Sequence, residues 1–262
     1  MKIVVTVKLV PDTNAEKRID PGTQRLIRTG VETVLNPYDE YALEAALALK
    51  EKLADGSTVT VLAMAPEATK ETLRKALAMG ADDAVFLSDA ALAGTDTLGT
   101  ADVLAHALKN IGFDLVICGG LSDDGSTGGV PGALAEFLAV PGITNARSLE
   151  IIDGRVPAQR ETDNGYQVVS AALPVMLSVT MAVGEPRYAS LKGIMGAKKK
   201  PIAPMALANI GAPGSAGAAG AKISLLSTAP PPVRGKAKVV EATDGLSGAQ
   251  AVLDFLKERK LV

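Results

Sequence analysis

Two textures of hydrophobic and polar residues follow one another along this chain. In the first half, short apolar runs rich in β-branched residues alternate with longer stretches in which Ala and Leu recur at helical spacing. Residues 3–10 form the first run and predict one buried strand, closed by Pro11. After a polar stretch over 12–30, Asn36-Pro37 opens a helix through about Leu53. Pro37 suits its first turn, Asp39, Glu40 and Glu44 sit near its positive end, and Leu43, Leu47 and Leu49 supply an apolar face. A strand over 57–64, a helix over 67–78 ending at Gly80, a strand over 84–87, a helix over 95–110 and a strand over 114–118 continue the alternation. That succession predicts right-handed crossovers. The expected class is α/β, an open, mostly parallel, Rossmann-like sheet with helices on both faces.

Beyond a helix over 131–138 the texture changes. Runs over 148–152, 155–161, 166–172 and 175–180, with turns at Asp153-Gly154 and Asp163-Asn164-Gly165, predict an antiparallel meander. Lys198-Lys199-Lys200-Pro201 ends the compact region, and from Asn209 to Pro230-Pro231-Pro232 the composition is that of a linker or extended arm. A last amphipathic helix over 248–259 has little core of its own, which suits docking onto another subunit. The expected division is an α/β domain over 1–208 and a linker with a C-terminal arm over 209–262.

Composition removes more chemistry than it suggests. A hydrophobic content of 47% in 262 residues supports a full core without staples. One Cys and one His exclude a disulfide framework and Cys- or His-rich metal centres. A net charge of -2 gives no electrostatic case for nucleic acid, and 3% aromatic residues argue against base-stacking surfaces. Met1-Lys2 runs straight into the first strand, too short for a signal sequence, and no apolar run approaches the roughly 18 residues of a membrane span. The expectation is a soluble cytoplasmic protein, not embedded in a membrane.

The densest candidate chemistry is the stretch from Gly119-Gly120 to Gly128-Gly129, between a predicted strand and the helix near Pro131. Glycines let backbone N–H groups approach a ligand, Ser126 and Thr127 add hydroxyls, and a helix N-terminus beyond a strand end attracts phosphate. It reads either as a nucleotide phosphate cradle or as a surface loop of turn residues. It is neither a Walker A loop nor a dinucleotide fingerprint. Thr6, Asn36-Pro37-Tyr38-Asp39 and Met64 would be the other walls of such a crevice, or ordinary packing and capping. His106 reads as structural and Cys118 as a small buried hydrophobe. Asp123-Asp124 could bind Mg²⁺ or simply shape a turn, and no nucleophile–base–orienter set can be assembled. Around residues 184–200, Leu191, Ile194 and Met195 stand as apolar groups in a Gly-flanked segment rimmed by Lys198, Lys199 and Lys200, either a docking site or a solvated loop.

In this order and spacing, several stretches resemble the β subunits of electron transfer flavoproteins over nearly the whole chain. They are Val7-Lys8-Leu9-Val10-Pro11-Asp12-Thr13, the run from Leu35 to Glu44, Thr72 to Asp82, the Asp124–Val130 loop, Glu185-Pro186-Arg187-Tyr188, and Gly193 to Lys200. The resemblance implies a heterodimer with an α subunit, carrying electrons from flavin dehydrogenases, such as acyl-CoA dehydrogenases, to a quinone oxidoreductase or other acceptor, with no substrate chemistry of its own. FAD would be held mainly by the α subunit with one wall from this chain, and AMP would fill the crevice. Carried over, the nucleotide contacts are Thr6, Asn36, Pro37, Tyr38, Asp39, Met64, Asp123, Asp124, Gly125, Ser126, Thr127, Gly128, Gly129, Val130, Pro131, Gly132, Ala133 and Leu134. Leu191 would plug into partner dehydrogenases, and the arm would embrace the α subunit.

Three departures bear on this. The family's Gln is missing from Gly119-Gly120-Leu121-Ser122-Asp123-Asp124, Gly128-Gly129-Val130-Pro131 follows the loop threonine, and Gly196 replaces a frequent Lys. Asp124-Gly125-Ser126-Thr127 partly matches electron-bifurcating relatives, which hold a second FAD in place of AMP. Rival readings are a stand-alone nucleotide-binding regulator of the universal-stress-protein type and a Mg²⁺-dependent hydrolase or ligase built on Asp123-Asp124.

Overall fold

A computed structural model describes residues 1–211, 213–229, 235 and 237–262. The chain separates into two compact units, Met1–Ser227 and Thr228–Val262. In the first, β1 (Lys2–Val7) is an interior strand of a nine-stranded sheet. The remaining strands are β4 (Thr58–Met64), β5 (Asp83–Leu87), β6 (Leu115–Gly119), β7 (Gly142–Leu149), β8 (Arg155–Thr162), β9 (Gly165–Ala172), β10 (Val175–Val179) and β11 (Ile202–Met205). Their order is β11-β5-β4-β1-β6-β10-β7-β8-β9. Seven strands run parallel, and β8 and β9 close one edge antiparallel.

The parallel strands are apolar on both faces because both are covered. Ile3, Val5 and Val7 join Leu43 and Leu47 of α1 (Pro37–Leu53) and Leu77 of α2 (Arg74–Met79) in one core. Val4 joins Leu104 and Leu108 of α3 (Thr97–Ile111) and Leu134 of α4 (Gly129–Leu138) in the other. This is the α/β architecture that the alternation predicts.

The sheet continues past Lys198–Pro201 in β11, the strand expected over 148–152 is β7 at Gly142–Leu149, and four further details differ from the sequence reading. The run over 3–10 is two strands: the Lys8 N–H leaves the ladder for the Asp39 carboxylate, and β2 (Leu9–Pro11) pairs antiparallel with β3 (Thr33–Leu35). The helix expected over 67–78 begins as a 3₁₀ helix, Glu67–Leu73, before becoming α2. The run over 175–180 is no meander strand. As β10 it enters the parallel sheet between β6 and β7, and its full burial, without alternation, is the mark of a strand covered on both faces. Finally, the segment predicted as a loop around Leu191 contains α5 (Leu191–Ala197), capped by the Ser190 side chain on Gly193 N at 3.0 Å.

The Ala/Gly-rich segment after Asn209 stays against the first unit through a short α6 (Gly217–Gly220) as far as Ser227. The predicted Pro230-Pro231-Pro232 stretch lies outside the described residues. In the second unit, α7 (Gly245–Glu258) starts at Asp244, whose carboxylate accepts Ser247 N at 2.7 Å, and none of its residues is buried within that unit. Among the described residues, no helix is long and apolar enough to cross a membrane.

Candidate functional site

From β1 the chain passes to β4 and β5 on one side and then to β6 on the other. Crevices in open α/β sheets form at such a switch point, beyond the carboxyl ends of the strands. A cavity of about 520 Å³ lies there, within the roughly 300–1,000 Å³ range of small-molecule sites.

Its floor is Asp39. The sequence places this acid in the first turn of α1, and the structure uses it to join two strand ends. Oδ2 accepts Lys8 N at 2.7 Å and Oδ1 accepts Gly119 N at 3.2 Å. Burial pushes the carboxyl up to about 7, although the Lys8 N–H, the Asn36 side chain and the Gly119 N–H all favour its charged form. Asn36 does not cap α1 with its side chain. Its Nδ2 donates to the Leu121 carbonyl at 2.9 Å and its Oδ1 accepts Asp123 N at 3.0 Å, so it grips the loop after β6.

That loop is held from outside by cations. Asp124, with a side chain 1% exposed, accepts Lys8 Nζ and Arg28 Nη2 at 2.7 Å each. Burial would raise its pKa, but the charges and hydrogen bonds of Lys8 and then Arg28 outweigh it and hold the carboxyl down at about 2. Lys17 pairs with Asp123 at 2.9 Å. Ser126 takes a positive φ of 50° and returns its N–H to the Ser122 carbonyl at 2.8 Å. Gly128, with φ of 60°, then turns the chain into α4 as a cap without a side chain.

Thr6, Asn36, Asp39, Met64, Gly125, Thr127, Gly128, Val130 and Pro131 of the predicted set line the cavity. The others do not. Pro37 and Tyr38 form the first turn of α1, Asp123 and Asp124 anchor the loop, and Ser126 braces it. Gly129 and Gly132 lie on the exposed side of α4, while Ala133 and Leu134 face the core beneath it. Cys118 also reaches the cavity, but burial, and then the neighbouring Asp39, raises its thiol far above the ordinary range. His106 sits on α3 with Nδ1 2.9 Å from the Asp102 carbonyl. Among the described residues, no group of three or more His, Cys, Asp or Glu could hold a metal ion.

Three wall segments escaped the sequence reading. Thr95, Asp96 and Thr97 belong to the connection from β5 into α3, and their place after a strand of the same sheet edge was a usable signal. Arg25 and Arg28 come from the patternless polar stretch between β2 and β3, and Ile223 and Leu225 from the low-complexity segment. Nothing periodic marks either.

The second candidate, around Leu191, lies on α5. Leu191 is 76% exposed and Tyr188 95%, with Ile194 and Met195 exposed beside them. Arg187 anchors the segment: its guanidinium meets Glu44 at 2.8 Å and Glu51 at 2.5 Å, both on α1. Lys198 and Lys199 are exposed, whereas Lys200 Nζ turns inward to the Ala81 carbonyl at 2.5 Å. Arg74 closes the far end of α5 by donating to the Ala197 carbonyl at 2.9 Å.

The electron transfer flavoprotein domain matches residues 23–209. The electron transfer flavoprotein subunit beta of Mycobacterium bovis is 41% identical over 265 residues, covering 99% of each chain. That of Megasphaera elsdenii is 39% identical, covering 99% of this chain and 97% of the relative. The caffeyl-CoA reductase–Etf complex subunit CarD of Acetobacterium woodii is 37% identical over 264 residues and 100% of both chains. With end-to-end matches of this kind, the chain belongs to the electron transfer flavoprotein family, among its beta subunits.

Proposed function

We propose that this chain pairs with an α subunit to form an electron carrier that takes electrons from flavin dehydrogenases, acyl-CoA dehydrogenases among them, and delivers them to a quinone oxidoreductase or other acceptor. The α subunit holds FAD, with one wall supplied by this chain, and AMP sits in the crevice. When bound, FAD supplies the redox chemistry, accepting and releasing the electrons. This chain contributes binding and orientation. The observation that carries the nucleotide assignment is the turn into α4. Gly128 leaves the first amides of a ten-residue helix without a side-chain acceptor, at the edge of a cavity also lined by Thr127. A phosphate completes that helix end, while Asn36, Lys8 and Arg28 fix the loop that leads into it.

A second reading, FAD in the crevice in place of AMP, is favoured by one observation. The cavity extends past the predicted contacts to Arg25, Thr95 and Thr100. Co-purifying the chain with its α subunit, denaturing the complex and quantifying the released nucleotides tests both. One FAD and one AMP per heterodimer supports the first reading. Two FAD without AMP replaces it with the second. No flavin overturns both.

A further inference from the structure

One wall of the crevice is built by the segment that leads out of the first unit. Asp96, the N-cap of α3, uses its two carboxylate oxygens differently. Oδ1 accepts Gly99 N at 2.7 Å, which caps the helix. Oδ2 accepts Lys222 N at 2.6 Å and Ile223 N at 2.9 Å, which pins a remote stretch of chain to the same residue. Upstream, Gly217 N donates to Thr95 Oγ1 at 2.7 Å and Ala218 N to the Ala93 carbonyl at 3.0 Å. A Cβ at Gly94 would come within 2.8 Å of the Ala218 Cβ, and one at Gly99 would collide with the Ser215 carbonyl. The segment is therefore packed into the β5–α3 connection and not draped over it. From Lys222 to Ser227 the backbone takes no regular structure, and Ile223 and Leu225, two residues apart, both line the cavity. Each keeps about half its surface exposed, 50% and 48%, while Leu226 is 92% exposed. Leu92 and Leu104 add further aliphatic side chains to the lining, which also carries the polar groups of Thr6, Lys8, Asn36 and Asp39.

We infer that Ile223 and Leu225 are ligand-contacting residues, packing on the heterocyclic base of the nucleotide in the crevice, and that Asp96 is the positioning residue that holds them there. This rests on the nucleotide reading given above. The phosphate takes the α4 end, and a flat, weakly polar ring takes the aliphatic end, where its burial is favourable. Retention of the nucleotide then depends on a strap in the chain's own connection to its C-terminal unit.

Two variants separate the roles. Asp96→Asn keeps a carbonyl oxygen for the Gly99 N–H but turns an amide NH₂ toward Lys222 N and Ile223 N, releasing the strap while leaving the helix capped. The double variant Ile223→Ala/Leu225→Ala keeps the pin and removes the contact. In the purified heterodimer loaded with radiolabelled AMP, both release AMP about tenfold faster than the parent, as expected for the loss of one such set of contacts. In Asp96→Asn alone, amide exchange rises at Lys222 and Ile223 and stays unchanged at Gly99. Unchanged AMP release in both variants, with AMP retained by the parent, overturns the strap. A parent heterodimer that retains no AMP overturns the nucleotide reading and the strap with it.

Discussion

Asp39 and Gly119 meet at the floor of the crevice, and each dictates the other. The Gly119 N–H donates to Asp39 Oδ1 at 3.2 Å, and a Cβ at 119 would collide with that oxygen and come within 2.8 Å of the Tyr38 carbonyl carbon. Backbone stands on one side of the collision, so it has no cheap relief. Gly119→Ala is expected to destabilise the protein by about 1–3 kcal/mol, the usual cost of overpacking. The urea midpoint should fall, and the purified complex should carry less nucleotide, because α1 and β6 can no longer close the floor together. An unchanged midpoint with full nucleotide content would refute the contact.

The same carboxyl predicts a pH dependence. Its folded pKa of about 7 lies above its ordinary value of 3.8, so the folded state binds the proton more tightly than the unfolded chain. The contribution to stability is full below about pH 4 and is lost as pH rises through 7, with a slope of at most about 1.4 kcal/mol per pH unit. Asp39→Asn removes the titration. The difference in unfolding free energy between parent and variant should change across pH 4–7 and level off above it. A difference that stays flat over that window excludes the raised pKa.

Asp124 runs the opposite way. Its folded pKa of about 2 lies below the ordinary 3.8, so its contribution is present above about pH 4 and disappears as pH falls toward 2. Lys8 and Arg28 are 42% and 43% exposed and regain water when the carboxylate is gone. Asp124→Ala should therefore cost about 1–2 kcal/mol, less than a fully buried pair, and less again in molar salt. Chemical denaturation at pH 7 and at pH 3 checks it. The deficit of the variant should shrink at the lower pH.

The two sites were unequally legible in the sequence. Parallel strands announce themselves by apolar runs, and their alternation with helices implied a parallel sheet with a crevice beyond the strand ends, although not the side-by-side order of the strands. Val175–Val179 misled because its position after two hairpin strands outweighed its pattern, although five buried residues in succession pointed to a strand covered on both faces. Lys8 misled because a strand can end through one backbone N–H diverted to a distant carboxylate, and such a bond leaves no mark in hydropathy. Asn36 looked like a helix cap and serves as a clamp for a loop 85 residues away. Arg25, Ile223 and Leu225 were illegible for a different reason. They reach the cavity only by tertiary placement of segments without periodicity.

Leu191 carries the last prediction. It is exposed at the first turn of α5, so Leu191→Ala should leave the melting temperature and bound FAD unchanged, since truncating a solvent-exposed side chain removes little buried surface. If it is the anchor for a dehydrogenase, the same change removes a contact that is buried only in the complex. The efficiency of dehydrogenase-driven flavin reduction should then fall by about thirtyfold, the effect of a hot-spot residue worth 2 kcal/mol. Arg187 gives the control. It touches Glu44 and Glu51 on α1 and positions the segment from behind. Arg187→Lys keeps the charge but loses the bidentate fork, so it should raise the KM for the dehydrogenase more than it lowers kcat. Steady-state reduction that is indifferent to Leu191→Ala across several dehydrogenases would remove the docking role from α5. A loss in Arg187→Lys alone would then belong to the fold and not to recognition.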